Sequence, residues 1–276
     1  PVTMAADLTI PNKTLREFER LVETGAVNPW KGALKVGVDL GTANILISVT
    51  DSGNRPVAGV STSSCAVRDG IVVDYAGAVQ AVRSMKAALE AKLGVGLTRA
   101  TCAIPPGISQ GNTRAIGNVV EAADFELTAI VDEPTAAAAA LGIRDGAVVD
   151  VGGGTTGISI LRDGEVVLTA DEPTGGTHMT LVLAGFNRTT TEAAERLKRA
   201  PSQEPNVFPV IRPVVDKMAS IAAGAIKDHD VETIYVVGGA CCFKGFEDIF
   251  EKRIGIPTVK PAAPLLVTPL GIAMNA

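Results

Sequence analysis

The sequence predicts an α/β fold with mixed sheets and two similar lobes, and two observations carry this prediction. First, one pattern occurs twice, at residues 36–50 and 147–161: an apolar run, an aspartate, a turn with glycine and threonine, and a second apolar run. Second, extended segments alternate with helical patterns along most of the chain. A repeated strand–turn–strand unit implies two comparable halves that face each other.

The copy at 147–161 contains a glycine-rich turn that is typical of phosphate binding. Three glycines follow Asp150 closely, and the turn ends in two threonines (Gly152, Gly153, Gly154, Thr155 and Thr156). Consecutive glycines between β-rich runs are entropically costly unless the backbone must approach something closely. Bare N–H groups and hydroxyls can hold phosphate oxygens, and Asp150 is placed to hold the accompanying magnesium ion. The alternative is a glycine-rich hairpin without a ligand.

The copy at 36–50 strengthens the phosphate interpretation. It places Asp39 before a turn that contains Gly41 and Thr42. Each copy is followed by a turn and a third extended run, beginning with DSGN at 51–54 and RDG at 162–164. Two such turns in facing lobes can grip one polyphosphate from opposite sides.

Composition limits the classes of function. The chain has 276 residues, of which 46% are hydrophobic and 20% charged, with a net charge of −5. This balance argues against a broad nucleic-acid surface, and no apolar run reaches the ~18–20 residues of a membrane helix. No secretory signal is visible, and the four cysteines lack metal-ligand spacing. We therefore expect a cytoplasmic protein with no nucleic-acid or membrane partner.

Residues 1–31 are predicted to form an N-terminal arm. Residues 1–11 look like a loose segment, and residues 14–23 carry an apolar stripe at helical spacing. Thr14 and Glu17 fit a capping box, and Gly25 fits the end of the helix. The stripe most simply docks on its own protein. The alternative is that the arm detaches at the NPWKG linker and docks on a partner.

Residues 32–145 are predicted to form lobe I. The predicted elements are strands at 34–40, 44–50, 55–60, 99–104 and 127–131, and helices at 75–93, at about 107–123 and within DEPTAAAAALG. Asp132 or Glu133 begins the last helix, and Gly142 ends it. The helix dipole favours a carboxylate at its start, which is a complete structural explanation for Glu133.

Residues 146–276 are predicted to form lobe II, whose C-terminal helix crosses back to lobe I. After the glycine-rich repeat come the Gly175–Gly176 turn, helices at 189–200 and about 206–228, and a strand at 233–237. A third glycine turn, Gly238–Gly239–Ala240, precedes helices at about 245–253 and 267–275. GxxxxGK[ST] does not occur, and the one GxGxxG match, at 152–157, runs into an apolar extended segment rather than a helix, which disfavours Walker-type and dinucleotide sites.

Several motifs resemble the actin/heat-shock-chaperone/sugar-kinase superfamily. GVDLGTANILISV is similar to the first phosphate loop of this superfamily, and its sequence is most like that of the bacterial actin homologue MreB. VDEPTAAAAALG, VVDVGGGTTGISIL and YVVGGA resemble the first connecting helix, second phosphate loop and adenosine-binding loop of the DnaK chaperones. This resemblance implies a two-lobed actin-like ATPase (ribonuclease H-like) fold, with outer subdomains that are reduced in so short a chain.

The resemblance implies roles for individual residues in binding ATP or ADP with Mg2+. Asp39 and Asp150 match the aspartates that organise magnesium, and Glu133 and Asp150 are the candidate catalytic residues. The other candidates all match nucleotide contacts: Gly41, Thr42, Ala43 and Asn44, Gly152 to Thr156, Gly175 and Gly176, Glu195, Lys198 and Arg199, and Gly238, Gly239 and Ala240. The alternative for Glu195, Lys198 and Arg199 is a solvated charged face.

Two departures from the chaperone pattern argue against fast hydrolysis. Gly157 stands where that pattern has an aspartate, and the phosphate-contacting lysine of the chaperone's lobe I insertion has no counterpart. Phosphoryl transfer depends on positioning and on charge neutralisation. We therefore expect nucleotide binding with weak or no hydrolysis.

Five further segments resemble the EutJ family of ethanolamine-utilization proteins: VRDGIVVDYAGAVQ, PPGI, DVGGGTTGISIL, ADEPTGGTH and LAGFNR. That family implies a chaperone or an assembly or reactivation factor associated with a bacterial microcompartment. The implied partner is ethanolamine ammonia-lyase, another microcompartment enzyme or a shell protein. The alternatives are a nucleotide-dependent actin-like polymerising protein and a small-molecule kinase.

Overall fold

The computed structural model describes residues 7–68 and 70–276, and within them the chain forms two five-stranded sheets with matching topology. The strands are β1 (Lys35–Leu40), β2 (Asn44–Thr50), β3 (Pro56–Ser63), β4 (Val67–Arg68), β5 (Ile71–Val72), β6 (Arg99–Ile104), β7 (Glu126–Asp132), β8 (Gly146–Val151), β9 (Thr156–Arg162), β10 (Glu165–Glu172), β11 (Ile234–Val237) and β12 (Thr258–Val259). The helices are α1 (Thr9–Thr24), α2 (Tyr75–Leu93), α3 (Gln110–Ala122), α4 (Glu133–Leu141), α5 (Gly176–Asn187), α6 (Thr191–Arg199), α7 (Glu204–Ile226), α8 (Phe246–Ile254) and α9 (Val267–Met274).

The two large sheets repeat one arrangement. The first has the order β3-β2-β1-β6-β7 and the second the order β10-β9-β8-β11-β12. In each sheet the first three strands along the chain are antiparallel neighbours, and the fourth and fifth continue from the first strand in parallel. The repeated sequence pattern therefore folds into the same unit twice, which confirms the predicted mixed α/β fold.

Each sheet buries one face under its own helices. The first sheet packs against α2 and α3, and the second packs against α5, α7 and α8. A third apolar cluster joins the sheets through α1, α4 and α9. The strands of both sheets that carry the sequence repeat therefore lie on either side of α4 and α9.

Helix α9 follows the second sheet in the chain but packs on the first. The Ser48 hydroxyl of β2 donates a hydrogen bond of 2.6 Å to the Pro269 carbonyl. Lys35 of β1 donates through Nζ to the Met274 carbonyl at 2.6 Å. These bonds fix the C-terminal helix to the first sheet.

The N-terminal helix differs from the prediction. It begins at Thr9, so residues 9–11 are helical, and residues 1–6 lie outside the described residues. The predicted capping box is wrong, because Thr14 lies inside the helix and its hydroxyl donates to the Ile10 carbonyl. The predicted end is confirmed, since Gly25 has φ +66° and its N–H bonds the Leu21 carbonyl.

The apolar stripe of α1 is buried on its own protein. Leu15, Phe18 and Leu21 are fully buried, and the Phe18 ring lies directly over the backbone of Gly59 in β3. A stripe covered in this way leaves no apolar face for a partner, so the hypothesis of a detached arm is wrong for this conformation.

Candidate functional site

The two predicted metal aspartates occupy equivalent positions in the two sheets. Asp39 lies near the end of the central strand β1, and Asp150 near the end of the central strand β8. Each strand runs into a glycine-bearing turn and returns as an antiparallel neighbour, so that Asp39 pairs with Leu46 and Asp150 with Gly157. The sequence repeat thus places one carboxylate near the end of the equivalent strand in each sheet.

The two turns meet across the junction between the halves. A Cβ atom placed on Gly153 would lie 3.5 Å from Thr42 Cγ2 and 3.9 Å from the Ala43 Cβ. These are ordinary van der Waals distances. The predicted phosphate turns therefore face each other, and a polyphosphate between them requires them to move apart.

Helix α5 orients the second turn. Its first amides donate to that turn, Gly176 N–H to the Gly152 carbonyl at 2.9 Å and Thr177 N–H to the Gly153 carbonyl at 2.7 Å. In a planar trans peptide the C=O and N–H groups point in opposite directions. The amide N–H groups of Gly153 and Gly154 consequently point away from α5, as a phosphate-binding turn requires.

Carboxylates dominate the electrostatics of the crevice. Burial raises the pKa of Asp39 to about 7, and the charge of Asp150 adds to this rise. Burial also raises the pKa of Asp150 to about 6; the Thr268 hydroxyl, which donates to Asp150 Oδ2 at 3.3 Å, opposes the rise, and the charge of Asp171 adds to it. Charges that repel one another in a shielded site favour protonation or a bound cation.

Glu133 belongs to the same group of carboxylates. It is the first residue of α4, and the neighbouring Asp132 caps that helix by accepting the Thr135 N–H at 2.9 Å. Burial raises the pKa of Glu133 well above its ordinary value, and the charges of Asp150, Asp39, Asp171 and Asp132 raise it further. Glu133 therefore shares the electrostatic environment of both predicted metal aspartates.

The donor chemistry fits a hydrated magnesium ion. Among residues 7–68 and 70–276, no three His, Cys, Asp or Glu side chains converge closely enough to hold a metal by themselves. Magnesium usually keeps several waters and takes only one or two carboxylates together with phosphate oxygens. Asp39 and Asp150, on the two sides of one crevice, carry oxygen atoms of the kind that would hold such an ion.

The third glycine turn lies directly beside Asp150. Gly238 has φ +93°, and a Cβ atom there would collide with Asp150 Oδ1 and the Val151 carbonyl. Gly238 N–H donates to the Pro264 carbonyl at 3.0 Å, and Leu265 lies against Gly239. The predicted adenosine-binding turn is thus adjacent to the predicted phosphate-binding turn.

Lys198 is part of this region rather than of a solvated face. Its Nζ donates to the Gly176 carbonyl at 2.9 Å and pairs with Glu195 at 2.7 Å. Glu195 also accepts from Thr180 and Arg199, and the latter side chain is about half exposed. A Cβ atom on Gly176 would contact both Lys198 Nζ and the Ala240 Cβ. The predicted adenosine residues therefore converge from α5, α6 and the third turn.

Two predicted nucleotide contacts, Thr156 and Asn44, begin the strands that follow the two turns. The Thr156 hydroxyl is fully buried and donates to the Thr174 carbonyl, so this geometry does not support a side-chain contact with phosphate. Asn44 begins β2, and its Oδ1 lies 3.5 Å from the Ser63 hydroxyl at the edge of the turn.

Asp171 is the residue of the site that sequence reasoning missed. It lies in β10 opposite Gly157, and its charge acts on Asp150 and Glu133. Its only sequence signal was an aspartate near the end of a predicted extended run. The pairing that brings it to Asp150 is non-local.

Comparisons with known proteins agree on the class of fold. The family model "MreB/Mbl protein" matches residues 61–194, and the model "Cell division protein FtsA" matches residues 147–271. The structure of MreB5 of Spiroplasma citri bound to AMPPNP has a TM-score of 0.71 at 18% identity, covering 88% of this chain and 96% of that one. The chaperone protein DnaK of Akkermansia muciniphila is 29% identical over 164 residues, 56% of this chain and 25% of its own. The matched halves and the facing turns define an actin-like ATPase fold.

Two comparisons extend over nearly the whole chain. The ethanolamine utilization protein EutJ of Salmonella typhimurium is 43% identical over 241 residues, 87% of this chain and 85% of its own. The crystal structure of ethanolamine utilization protein EutJ from Carboxydothermus hydrogenoformans has a TM-score of 0.94 at 47% identity, covering 98% of this chain and 100% of that one. The chain belongs to the EutJ family of ethanolamine utilization proteins.

Proposed function

We propose that this EutJ-family protein binds ATP or ADP with Mg2+ between two lobes, residues 32–145 and 146–276, and uses the nucleotide to set their separation. The observation that carries the proposal is the proximity of Thr42 to Gly153, whose added Cβ atom would touch the Thr42 side chain. It brings two glycine-bearing turns together beside Asp39 and Asp150. A ligand that prefers one separation of the lobes shifts the equilibrium by its differential affinity.

Magnesium would be held by Asp39 and Asp150, mainly through its water shell. It would supply positive charge that neutralises the polyphosphate and the surrounding carboxylates. The raised pKa values of both aspartates support this assignment, because a bound cation would offset both the burial and the carboxylate repulsion that raise them.

Weak or absent hydrolysis is part of the proposal. The charged groups that act on Asp39, Asp150 and Glu133 are themselves carboxylates. Among the described residues, no lysine or arginine charge acts on these three carboxylates, so only magnesium would stabilise charge on a transferring phosphoryl group. Glu133 is the carboxylate that we assign to orienting an attacking water, and Asp150 is the acidic residue whose charge acts on it most strongly.

The family membership supports an accessory role in ethanolamine utilization. We infer a chaperone or an assembly or reactivation factor whose client is ethanolamine ammonia-lyase, another microcompartment enzyme or a shell protein. The site of action is then the cytoplasm or the microcompartment. In this interpretation the movement of the lobes is the useful output, and it does not require hydrolysis.

Thermal unfolding tests nucleotide binding. A ligand at about 100 times its dissociation constant adds about 2.7 kcal/mol to the free energy of unfolding, so Mg-ATP or Mg-ADP should raise the melting temperature. Asp150→Ala should lose this gain. The proposal would be contradicted if nucleotide left the melting temperature of the wild type unchanged, or if it raised that of Asp150→Ala as much as that of the wild type.

Polymerisation is the second candidate, favoured by the match of residues 61–194 to the MreB/Mbl model. Sedimentation with and without Mg-ATP separates the two functions. We expect the protein to remain in the supernatant under both conditions. Nucleotide-dependent pelleting would favour the structural role instead.

A further inference from the structure

Asp150, Gly157 and Asp171 form one row across three adjacent strands. Asp150 of β8 pairs with Gly157 of β9, and Gly157 pairs with Asp171 of β10. Directly paired residues of neighbouring strands project their side chains from the same face of a sheet. The two carboxylates therefore flank a bare glycine on one face.

The missing side chain of Gly157 leaves a slot between the two carboxylates. A Cβ atom placed there would lie 3.9 Å from Asp171 Oδ1 and 4.0 Å from the Asp150 carbonyl oxygen. Neighbouring strands are about 4.8 Å apart, so the two aspartate backbones are separated by about 10 Å. Apart from neighbouring residues in the chain, these two oxygens are the atoms within 4 Å of that position, so the place of the missing side chain is otherwise open.

Helix α4 brings Glu133 to the same slot. The helix packs against both β8 and β10 and begins at Glu133. The negative charge of Asp171 reaches Glu133 as well as Asp150. Asp171 thus adds acidic charge from an outer strand to a crevice otherwise built at the ends of β1, β8 and α4.

We propose that Asp171 is a positioning residue that accepts hydrogen bonds from the water shell of the nucleotide-bound magnesium ion, with Gly157 leaving the space for that water. The inference rests on the proposed nucleotide site. Carboxylates outside the first shell of a metal hold its ligands in place, and removing one typically costs about 10–100-fold in metal affinity. Gly157 then does not mark the loss of an acidic function. Its missing side chain leaves the space across which the Asp171 carboxylate acts.

The test measures the affinity for ATP by calorimetry in excess Mg2+ and in EDTA, for the wild type and Asp171→Asn. We expect Asp171→Asn to lose about tenfold or more of the affinity gained from Mg2+. In EDTA it should bind ATP at least as well as the wild type, because one negative charge near the polyphosphate is gone.

Two further variants separate position from charge. Glu172→Gln makes the same change of charge one residue further along β10, on the opposite face of the sheet. This variant should keep the increase in ATP affinity that Mg2+ gives the wild type. Gly157→Val keeps every carboxylate but fills the slot. It should therefore lose the increase in ATP affinity from Mg2+, as Asp171→Asn does.

Each other outcome overturns the inference. If the Asp171→Asn variant keeps the full increase in ATP affinity from Mg2+, the Asp171 carboxylate does not help to hold the ion. Equal losses in Mg2+ and EDTA show a general structural effect. A wild type that binds ATP without any help from Mg2+ overturns the role of Asp171 but leaves nucleotide binding intact. A wild type that binds no nucleotide overturns the proposed function itself.

Discussion

Gly271 of α9 lies directly against the Ala136 carbonyl of α4, so closely that a Cβ atom on Gly271 would overlap the carbonyl group. On the other side of α9, a Cβ on Gly37 of β1 would collide with the backbone at Ala273. Helix α9 is therefore held by backbone contacts between α4 and the first sheet. The alanines of α4 and the glycines at these positions make this approach possible.

Gly271→Ala should destabilise this junction. The added methyl meets backbone atoms that cannot rotate away, and overpacking of this kind costs about 1–3 kcal/mol or more. The free energy of unfolding from urea titration measures the effect. Gly185→Ala is the matched control, because this glycine of α5 has open space around its Cα, and alanine favours a helix by up to about 1 kcal/mol. Equal stability of both variants would contradict the packing described.

Phe18→Ala should strongly destabilise the protein, because its ring is buried between α1 and Gly59. Truncating a buried phenylalanine costs about 3–5 kcal/mol. Ile10→Ala on the same helix should have little effect, since Ile10 is 77% exposed. A Phe18→Ala variant with the stability of the wild type would show that α1 detaches in solution, as the alternative for the N-terminal arm required.

The stability of the nucleotide-free protein should fall as the pH rises from about 4 to about 7. In the unfolded chain an aspartate titrates near 4. The folded protein raises the pKa of Asp39 to about 7 and that of Asp150 to about 6, so between these values the folded state binds more protons than the unfolded state. Stability contributed by proton uptake in the folded state is lost as pH rises.

Asp39→Asn tests this dependence, because its side chain cannot ionise. Its free energy of unfolding should fall less than that of the wild type between pH 4.5 and pH 7.5. The exposed Asp228→Asn serves as a control and should reproduce the slope of the wild type. Parallel curves for Asp39→Asn and the wild type would show that the crevice does not raise the pKa of Asp39.

Lys198→Ala should weaken ATP binding, because Lys198 is a proposed nucleotide contact whose ammonium lies at the start of α5 beside the Gly176 carbonyl. Loss of one charged hydrogen bond to the nucleotide would cost about 1.5–3 kcal/mol, which corresponds to about tenfold or more in affinity. Lys217→Ala changes an exposed lysine of α7 and should bind ATP normally. Similar affinities for the two variants would favour a purely structural role for Lys198.

Much of the fold was predictable because its signals are local. Helix α2 begins at Tyr75 and ends at Leu93 as the sequence indicates, with Asp74 capping it and Gly94 ending it. Helix α4 likewise follows from Asp132 and Gly142. The start of α1 was missed because Leu8 makes no side-chain cap, so nothing in the sequence marks it.

The site was predictable in part for the same reason. The aspartates and glycines of the two turns form contiguous motifs, so their meeting follows from the repeat. Asp171 was not predictable, because its role depends on the register of β10 against β9. The Thr156 hydroxyl is buried because it bonds the Thr174 carbonyl, and the position of Thr174 cannot be inferred from the motif.

The most direct test of the central claim is a crystal structure of the protein with Mg2+ and a non-hydrolysable ATP analogue. We predict that the phosphates lie between residues 41–44 and residues 152–155, and that Thr42 and Gly153 are further apart than in the nucleotide-free structure. A nucleotide bound elsewhere, or phosphates that leave the distance between these two turns unchanged, would contradict the account.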